Sequence, residues 1–162
     1  MRKILVVYDS KTGNTQKMAF AVAEGVKKVG GIEVEVKKVD QTKLEDLEEA
    51  NGIIIGSPTY YGDMSANIKN LIDRSVDIHE KLEGKIGAAF TSSGGIACGA
   101  ETTLLSIIQA LLIHGMIIQG RAKNQHYGVA AVGSPTKDEI QSCHELGERT
   151  AHLVLRLTKP KT

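Results

Sequence analysis

From Tyr8 to Gln16 the chain reads YDSKTGNTQ, and every side chain from Asp9 to Gln16 except Gly13 is polar. Ile4-Leu5-Val6-Val7 precedes this run, and a mostly apolar helical stretch follows it. A turn uses only one or two such residues. Ser10, Thr12, Asn14 and Thr15 around a single glycine offer more donors than that. A helix N-terminus leaves about four backbone N–H groups unpaired, with the positive end of the helix dipole behind them. Neutral donors gathered at such a point, with a glycine that lets the backbone come close, form a cradle for one compact anion. A phosphate fits best. The bland alternative is a tight turn with an over-provided helix cap. Neither GxxxxGK[ST] nor GxGxxG occurs here, so neither a P-loop nor a dinucleotide fingerprint applies.

The elements around this run follow from periodicity. Lys3 to Asp9 reads as a strand, and Thr15 to Lys28 as a helix with Met18, Val22, Val26 and Val29 on one face. Residues 32–39, IEVEVKKV, alternate apolar and charged, as an edge strand with one wet face does. A short acidic helix over 43–49 carries Leu44 and Leu47, and Gly52–Gly56 is a buried strand. Met64, Ile68, Leu71 and Ile72 mark another amphipathic helix. Ile86 to Thr91 is a fourth strand, Glu101 to His114 a helix, and Met116 to Gln119 a fifth strand that resumes at Val129 to Val132. Thr136 and Glu139 form a capping box opening a last helix to about Leu157, after which the basic tail Thr158 to Thr162 is expected to fray.

Strand and helix alternating in this way imply a parallel sheet with helices on both faces. In such sheets ligands bind outside the carboxyl ends of the strands. The polar exits at 10–15, 57–63 and 91–99 follow the first, third and fourth strands, so all three belong at that end.

The bulk numbers exclude several classes. A chain of 162 residues favours one domain with one substantial core. Net charge is +1, which gives no field for nucleic acid or an anionic membrane. Apolar runs fall far short of the roughly 20 residues that span a bilayer, so no membrane insertion is expected. Cys98 and Cys143 form neither CxxC nor a metal spacing, and no signal-peptide pattern follows Met1, which points to the cytoplasm. Trp is absent, so any aromatic contact to a ligand comes from four Tyr and two Phe.

At these residues the sequence resembles a family. SKTGNT is similar to the phosphate loop of the flavodoxins and their relatives, which bind FMN, and GSPTYYGDMSANIKNLID (56–73) to their second flavin loop and following helix. FTSSGGIACGAETTLLSIIQALLIHGMIIQG (90–120) and HYGVAAVGSP (126–135) resemble the NAD(P)H:quinone oxidoreductase branch. The likeness covers essentially the whole chain. It implies an α/β, doubly wound, five-stranded parallel sheet in the order 2-1-3-4-5 with helices on both faces, in one domain over 1–162.

By that resemblance Ser10, Lys11, Thr12, Gly13, Asn14 and Thr15 hold the FMN phosphate. Pro58, Thr59, Tyr60, Tyr61 and Gly62 border the isoalloxazine. Ser92, Ser93, Gly94 and Gly95 contact its polar edge or the ribityl chain. A flat ring asks for an aromatic or apolar platform, and at least one of the two tyrosines is expected instead to pack its loop onto the helix below. The implied activity is transfer of electrons from NAD(P)H to a quinone or similar acceptor. The alternative is a flavodoxin-type shuttle between redox proteins. Shuttles are acidic as a group, and a chain at +1 with Lys11, Lys69, Arg121 and Lys123 near the expected flavin edge favours the oxidoreductase.

Two departures stand out. That branch carries two adjacent histidines before Gly-Met, the first at its active site, where this chain reads Ile113-His114-Gly115-Met116. Its insertion after the fifth strand, which helps build a tetramer and pocket, is much shorter here, from Gly120 to His126. A homo-oligomer therefore stays open, and no residue is assigned a catalytic role. Other chemistries find less support. A receiver domain needs an Asp where Gly56-Ser57-Pro58 ends the third strand, the first loop has no Cys for a phosphatase, and GxSxG is absent. Cys98 is read as a loop filler, His114 as a cation suited to a helix C-terminus, and no metal site is expected.

Overall fold

The computed structural model describes residues 1–158; the tail beyond Thr158 lies outside the described residues. The elements run β1 (Arg2–Tyr8), α1 (Asn14–Lys27), β2 (Ile32–Lys38), α2 (Leu44–Glu49), β3 (Gly52–Pro58), α3 (Ala66–Arg74), β4 (Ile86–Ser93), α4 (Ala100–Ile113), β5 (Ile117–Ile118), β6 (Val129–Val132) and α5 (Lys137–Leu157). The sheet order is β2-β1-β3-β4-β5, all parallel.

A sixth strand joins this path. β5 pairs only with Ile86 and Gly87, and β6 takes over the same edge of β4 from Phe90 to Ser93. The fifth strand is thus split in two by the loop between its halves. Gly128 (φ +145°) makes the return possible, since a Cβ there would lie 2.2 Å from the Ala89 carbonyl oxygen.

β1 and β3 are covered on both faces, which is why their sequences read as continuous aliphatic runs. On one face Ile4, Val6 and Ile54 pack against Met18 and Val22 of α1 and Leu146 and Val154 of α5. On the other, Leu5, Val7, Ile53 and Ile55 meet Ile68 and Leu71 of α3 and Leu104, Ile107 and Leu111 of α4. α1 and α5 approach closely because each presents a glycine: a Cβ on Gly25 would stand 2.0 Å from His144 O, and one on Gly147 2.1 Å from Val22 O. β2 is the edge strand, and its lysine and glutamate side chains pair along its flank (Lys37–Asp46, 2.6 Å; Lys37–Glu35, 3.0 Å). The capping box at Thr136 and Glu139 is formed. Among the described residues no helix is long and apolar enough to cross a membrane.

Candidate functional site

β1 ends at Tyr8, and the Asp9 N–H donates across to Gly56 O at 3.0 Å. The chain then turns: the Gly13 N–H donates to Ser10 Oγ (3.1 Å), and Gly13 at φ +93° opens α1 with no side-chain cap. The first α1 amide to find a carbonyl is that of Lys17, on Gly13 O. Among the described residues, the N–H groups of Asn14, Thr15 and Gln16 pair with none. No acidic side chain sits in the first turn of α1. The positive helix end and its free donors are therefore uncompensated, the condition an anion fills. A Cβ on Gly13 would meet nothing within 4 Å, so the space in front of the turn is open.

Hydroxyl contacts stitch the other exits to this turn. Thr15 Oγ1 and Ser92 Oγ are 2.8 Å apart in a buried contact between the first and third exits. Thr91 Oγ1 donates to Ser57 O (2.7 Å), so its 2.8 Å contact with Thr59 Oγ1 is accepted from Thr59. The Thr59 N–H donates to Ser92 O at 2.8 Å. Ser65, the N-cap of α3, donates to the buried Asp9 carboxylate (2.7 Å), and Asn67 Nδ2 donates to the same oxygen (3.2 Å). The Ser65 N–H in turn donates to Ser57 Oγ (2.8 Å). Asp9 and Ser57 thus tie the end of β1 to the far end of the second exit.

These contacts close around a cavity of about 290 Å³. Ser10, Lys11, Thr12, Asn14, Thr15, Pro58, Thr59, Tyr60, Ser92, Ser93 and Gly94 all line it. Gly13 sits at the turn beneath, while Tyr61, Gly62 and Gly95 lie outside its wall. Pro58, Ser92 and Ser93 are the last residues of β3 and β4 rather than loop residues. Gly133, which the sequence did not single out, also lines the cavity; its N–H donates to Ser93 O at 2.8 Å as β6 ends. Asp9 was missed as well.

Tyr61 does not pack its loop onto a helix. Tyr60 and Asp63 exchange both backbone hydrogen bonds (3.0 and 3.1 Å) around a two-residue turn whose central residues, Tyr61 and Gly62, have φ +52° and +75°. Two positive φ values make this a type I′ turn, which aims Tyr61 outward into full exposure and leaves Tyr60 44% exposed. The turn is held instead through Gly62, whose carbonyl accepts from Thr102 Oγ1 at 2.6 Å.

His114 is not a surface cation. It is buried, its pKa is held below the ordinary value first by burial and then by the neighbouring His79, and Nε2 lies 2.7 Å from Ser75 Oγ. A neutral ring gains nothing from the helix dipole. Cys98 is exposed in the third exit, whereas burial first, and Glu139 second, push the Cys143 thiol up to about 12. Among the described residues no three His, Cys, Asp or Glu side chains could hold a metal ion together.

The sequence profile of the flavodoxin family matches residues 6–139. A flavodoxin of Aquifex aeolicus is 40% identical over 162 positions, covering 95% of this chain and 88% of the relative. An NAD(P)H dehydrogenase (quinone) of Archaeoglobus fulgidus is 38% identical over 191 positions, covering 97% and 100%. The crystal structure of a flavodoxin, WrbA-like protein from Agrobacterium tumefaciens superposes with a TM-score of 0.85 at 24% identity, covering 98% of this chain and 100% of that one, which speaks for the fold. A flavodoxin from the domain Archaea does so at 0.78 with 31% identity, covering 94% and 99%. With a parallel sheet in the order 2-1-3-4-5 and an anion cradle at its first strand exit, the chain belongs to the flavodoxin family of FMN-binding redox proteins.

Proposed function

We propose that this protein is an FMN-dependent oxidoreductase that takes hydride from NAD(P)H and passes electrons to a quinone-type acceptor. The observation that carries this reading is the rim of the cofactor cavity. Tyr60, Tyr61, Ile96 and Val132 are exposed and stand at the exits of β3, β4 and β6, and among the described residues no carboxylate lines the cavity itself. Exposed apolar and aromatic side chains at these exits suit a flat neutral molecule stacking on a ring. A protein shuttle docks its partners through acidic surface instead.

The donor set fits the cofactor. The free amides of Asn14, Thr15 and Gln16 with the hydroxyls of Ser10 and Thr12 would receive the phosphate monoester. Pro58, Thr59 and Tyr60 would flank the ring, with Tyr61 and Gly62 in the turn beyond them. Ser92, Ser93, Gly94 and Gly95 would meet its polar edge. When bound, FMN supplies the group that accepts hydride and releases electrons. Around it, the chain's own residues bind the phosphate, fix the spacing of the loops and keep water from the cavity floor. The single-domain organisation and a cytoplasmic site, where Cys98 stays reduced, belong to the same reading.

A shuttle between redox proteins is the second reading, and particular residues favour it. Ile113 stands where the quinone branch carries its active-site histidine. The Archaeoglobus alignment of 191 positions exceeds this chain's 162, so that relative has segments absent here. Anaerobic mixing of the FMN-loaded protein with NADH or NADPH separates the two. Rapid bleaching of the oxidised flavin, followed by reduction of a soluble quinone, is the expected result. No bleaching by either nucleotide, with two well-separated one-electron potentials, would establish the shuttle.

A further inference from the structure

A second cavity, of about 620 Å³, lies between α3 with the turn after it and α4. Met64, Ile72, Val76, Ala110 and Ile113 give it an aliphatic floor, and Asp63, Lys69, Asp73, His79, Ser106 and Gln109 stand around them. His114 completes the wall and is only 8% exposed.

The hydrogen bonds fix the state of that ring. Ser75 Oγ gives its single hydrogen to Ile72 O at 2.6 Å. In the 2.7 Å contact with His114 it must therefore accept, so Nε2 carries the proton. With the pKa of His114 lowered by burial and by His79, the ring is neutral and Nδ1 is a bare acceptor. Among the described residues nothing donates to it. A buried acceptor without a donor is costly, and its low-dielectric surroundings strengthen whatever donor reaches it.

We infer that this cavity is a binding site for a small, largely apolar molecule carrying one hydroxyl or N–H donor, of which phenol is the simplest, with the donor satisfied by His114 Nδ1. The volume falls within the range of small-molecule pockets. Nδ1 is shielded from solvent, so an entering donor must turn aside a side chain of the wall. Val76 and Ile113, 68% and 74% exposed, have room to change rotamer. The site also touches the cofactor end of the molecule. Asp63 lines this cavity and Tyr60 lines the other, and the two residues exchange both backbone hydrogen bonds across one tight turn. The inference does not depend on which redox reading holds.

The test is an NMR titration of the ¹⁵N-labelled protein with phenol, anisole and toluene. Phenol should bind saturably, shifting the Gln109 and Ala110 amides and moving the His114 Nδ1 resonance from its free-acceptor position toward the hydrogen-bonded one. Anisole and toluene, which lack the donor, should bind at least about tenfold more weakly. Ala110→Phe should fill the cavity and abolish the shifts at an unchanged melting temperature. If that variant fails to fold, the surface change Ile113→Phe serves instead. Equal binding of phenol and anisole would overturn the inference. So would an Nδ1 resonance already hydrogen-bonded before any addition, which means resident water. Concentration-dependent shifts of the same residues without ligand would also overturn it, because a second copy of the chain would then be the occupant.

Discussion

A Cβ placed on Gly99 would stand 2.4 Å from the Cα of Gly62 and 3.2 Å from Thr102 Oγ1. The two glycines, at φ +92° and +75°, let the turn of the second exit rest directly on the start of α4, where Thr102 bonds the Gly62 carbonyl. Gly99→Ala must therefore move that turn, on top of about 1–2 kcal/mol for a left-handed alanine. In the proposed reading the turn lies on the ring side of the cavity and not at the phosphate. The variant should lose affinity for FMN and riboflavin alike, by about 1–3 kcal/mol as overpacked sites do. Flavin-fluorescence titration of both ligands checks this, and a loss confined to FMN would contradict it.

The opposite pattern is expected at the first exit. Thr12→Val removes a hydroxyl lining the cavity beside the free α1 amides. It should weaken FMN by about 1.5–3 kcal/mol, the value of a hydrogen bond to a charged group, and leave riboflavin nearly untouched. Thr15→Val should do more, because it also strips Ser92 Oγ of its buried partner at 2.8 Å. Riboflavin should register that second part. Equal losses of both ligands in Thr12→Val would make the residue a loop former only.

The first exit was legible because its donors are consecutive in the chain and a helix start imposes their geometry. The strand order followed from a family likeness, and the split of the fifth strand from two separate aliphatic runs, 116–119 and 129–132. Asp9 was not legible: its partner Ser65 lies 56 residues away, and a lone aspartate after a strand reads as turn chemistry. Gly133 reaches the cavity because β6 continues the edge of β4 beyond β5, from Phe90 to Ser93. Tyr61 points outward through backbone signs at a two-residue turn, which side-chain type does not reveal. His114 looked like a dipole-satisfying cation because nothing local announces the cover of Ser75, 39 residues earlier.

Packing on the opposite face of the sheet gives a stability prediction. A Cβ on Gly147 would lie 2.1 Å from Val22 O and 2.9 Å from Val26 N, both backbone atoms of α1 that cannot swing away. Gly147→Ala improves helix propensity by about 1 kcal/mol in isolation. Here the clash should outweigh it and destabilise the protein by at least about 1–3 kcal/mol. Urea unfolding of the apo form measures the change, and a more stable variant would show that α1 and α5 separate freely.

The two thiols should differ sharply in reactivity. With its pKa pushed up to about 12, Cys143 is ionised in only about one molecule in 10⁴ at pH 8, and it is fully buried as well. Cys98 is exposed. A disulfide reagent should label one thiol per native chain, lost in Cys98→Ser, and the second only at the rate of unfolding. Two fast-reacting thiols in the native protein would contradict the burial of α5.

The buried imidazole sets the pH dependence. Burial chiefly, and His79 next, depress the pKa of His114 in the folded state, whereas in the unfolded chain it returns to about 6.5. Above pH 6.5 neither state binds the proton, and the stability contributed by the neutral ring is complete. As pH falls below 6.5 the unfolded chain takes up a proton that the folded one refuses, so stability drops, by at most about 1.4 kcal/mol per pH unit, until the folded pKa is reached. Replacing the ring with an uncharged amide, His114→Gln, should remove this slope between pH 6.5 and the folded pKa while leaving the carboxylate-driven fall at lower pH. The comparison is of urea-unfolding free energies for both proteins at a series of pH values. A slope that survives unchanged in His114→Gln would assign it to another group, and a native protein whose stability rises on acidification through this window would mean that the folded state binds the proton after all.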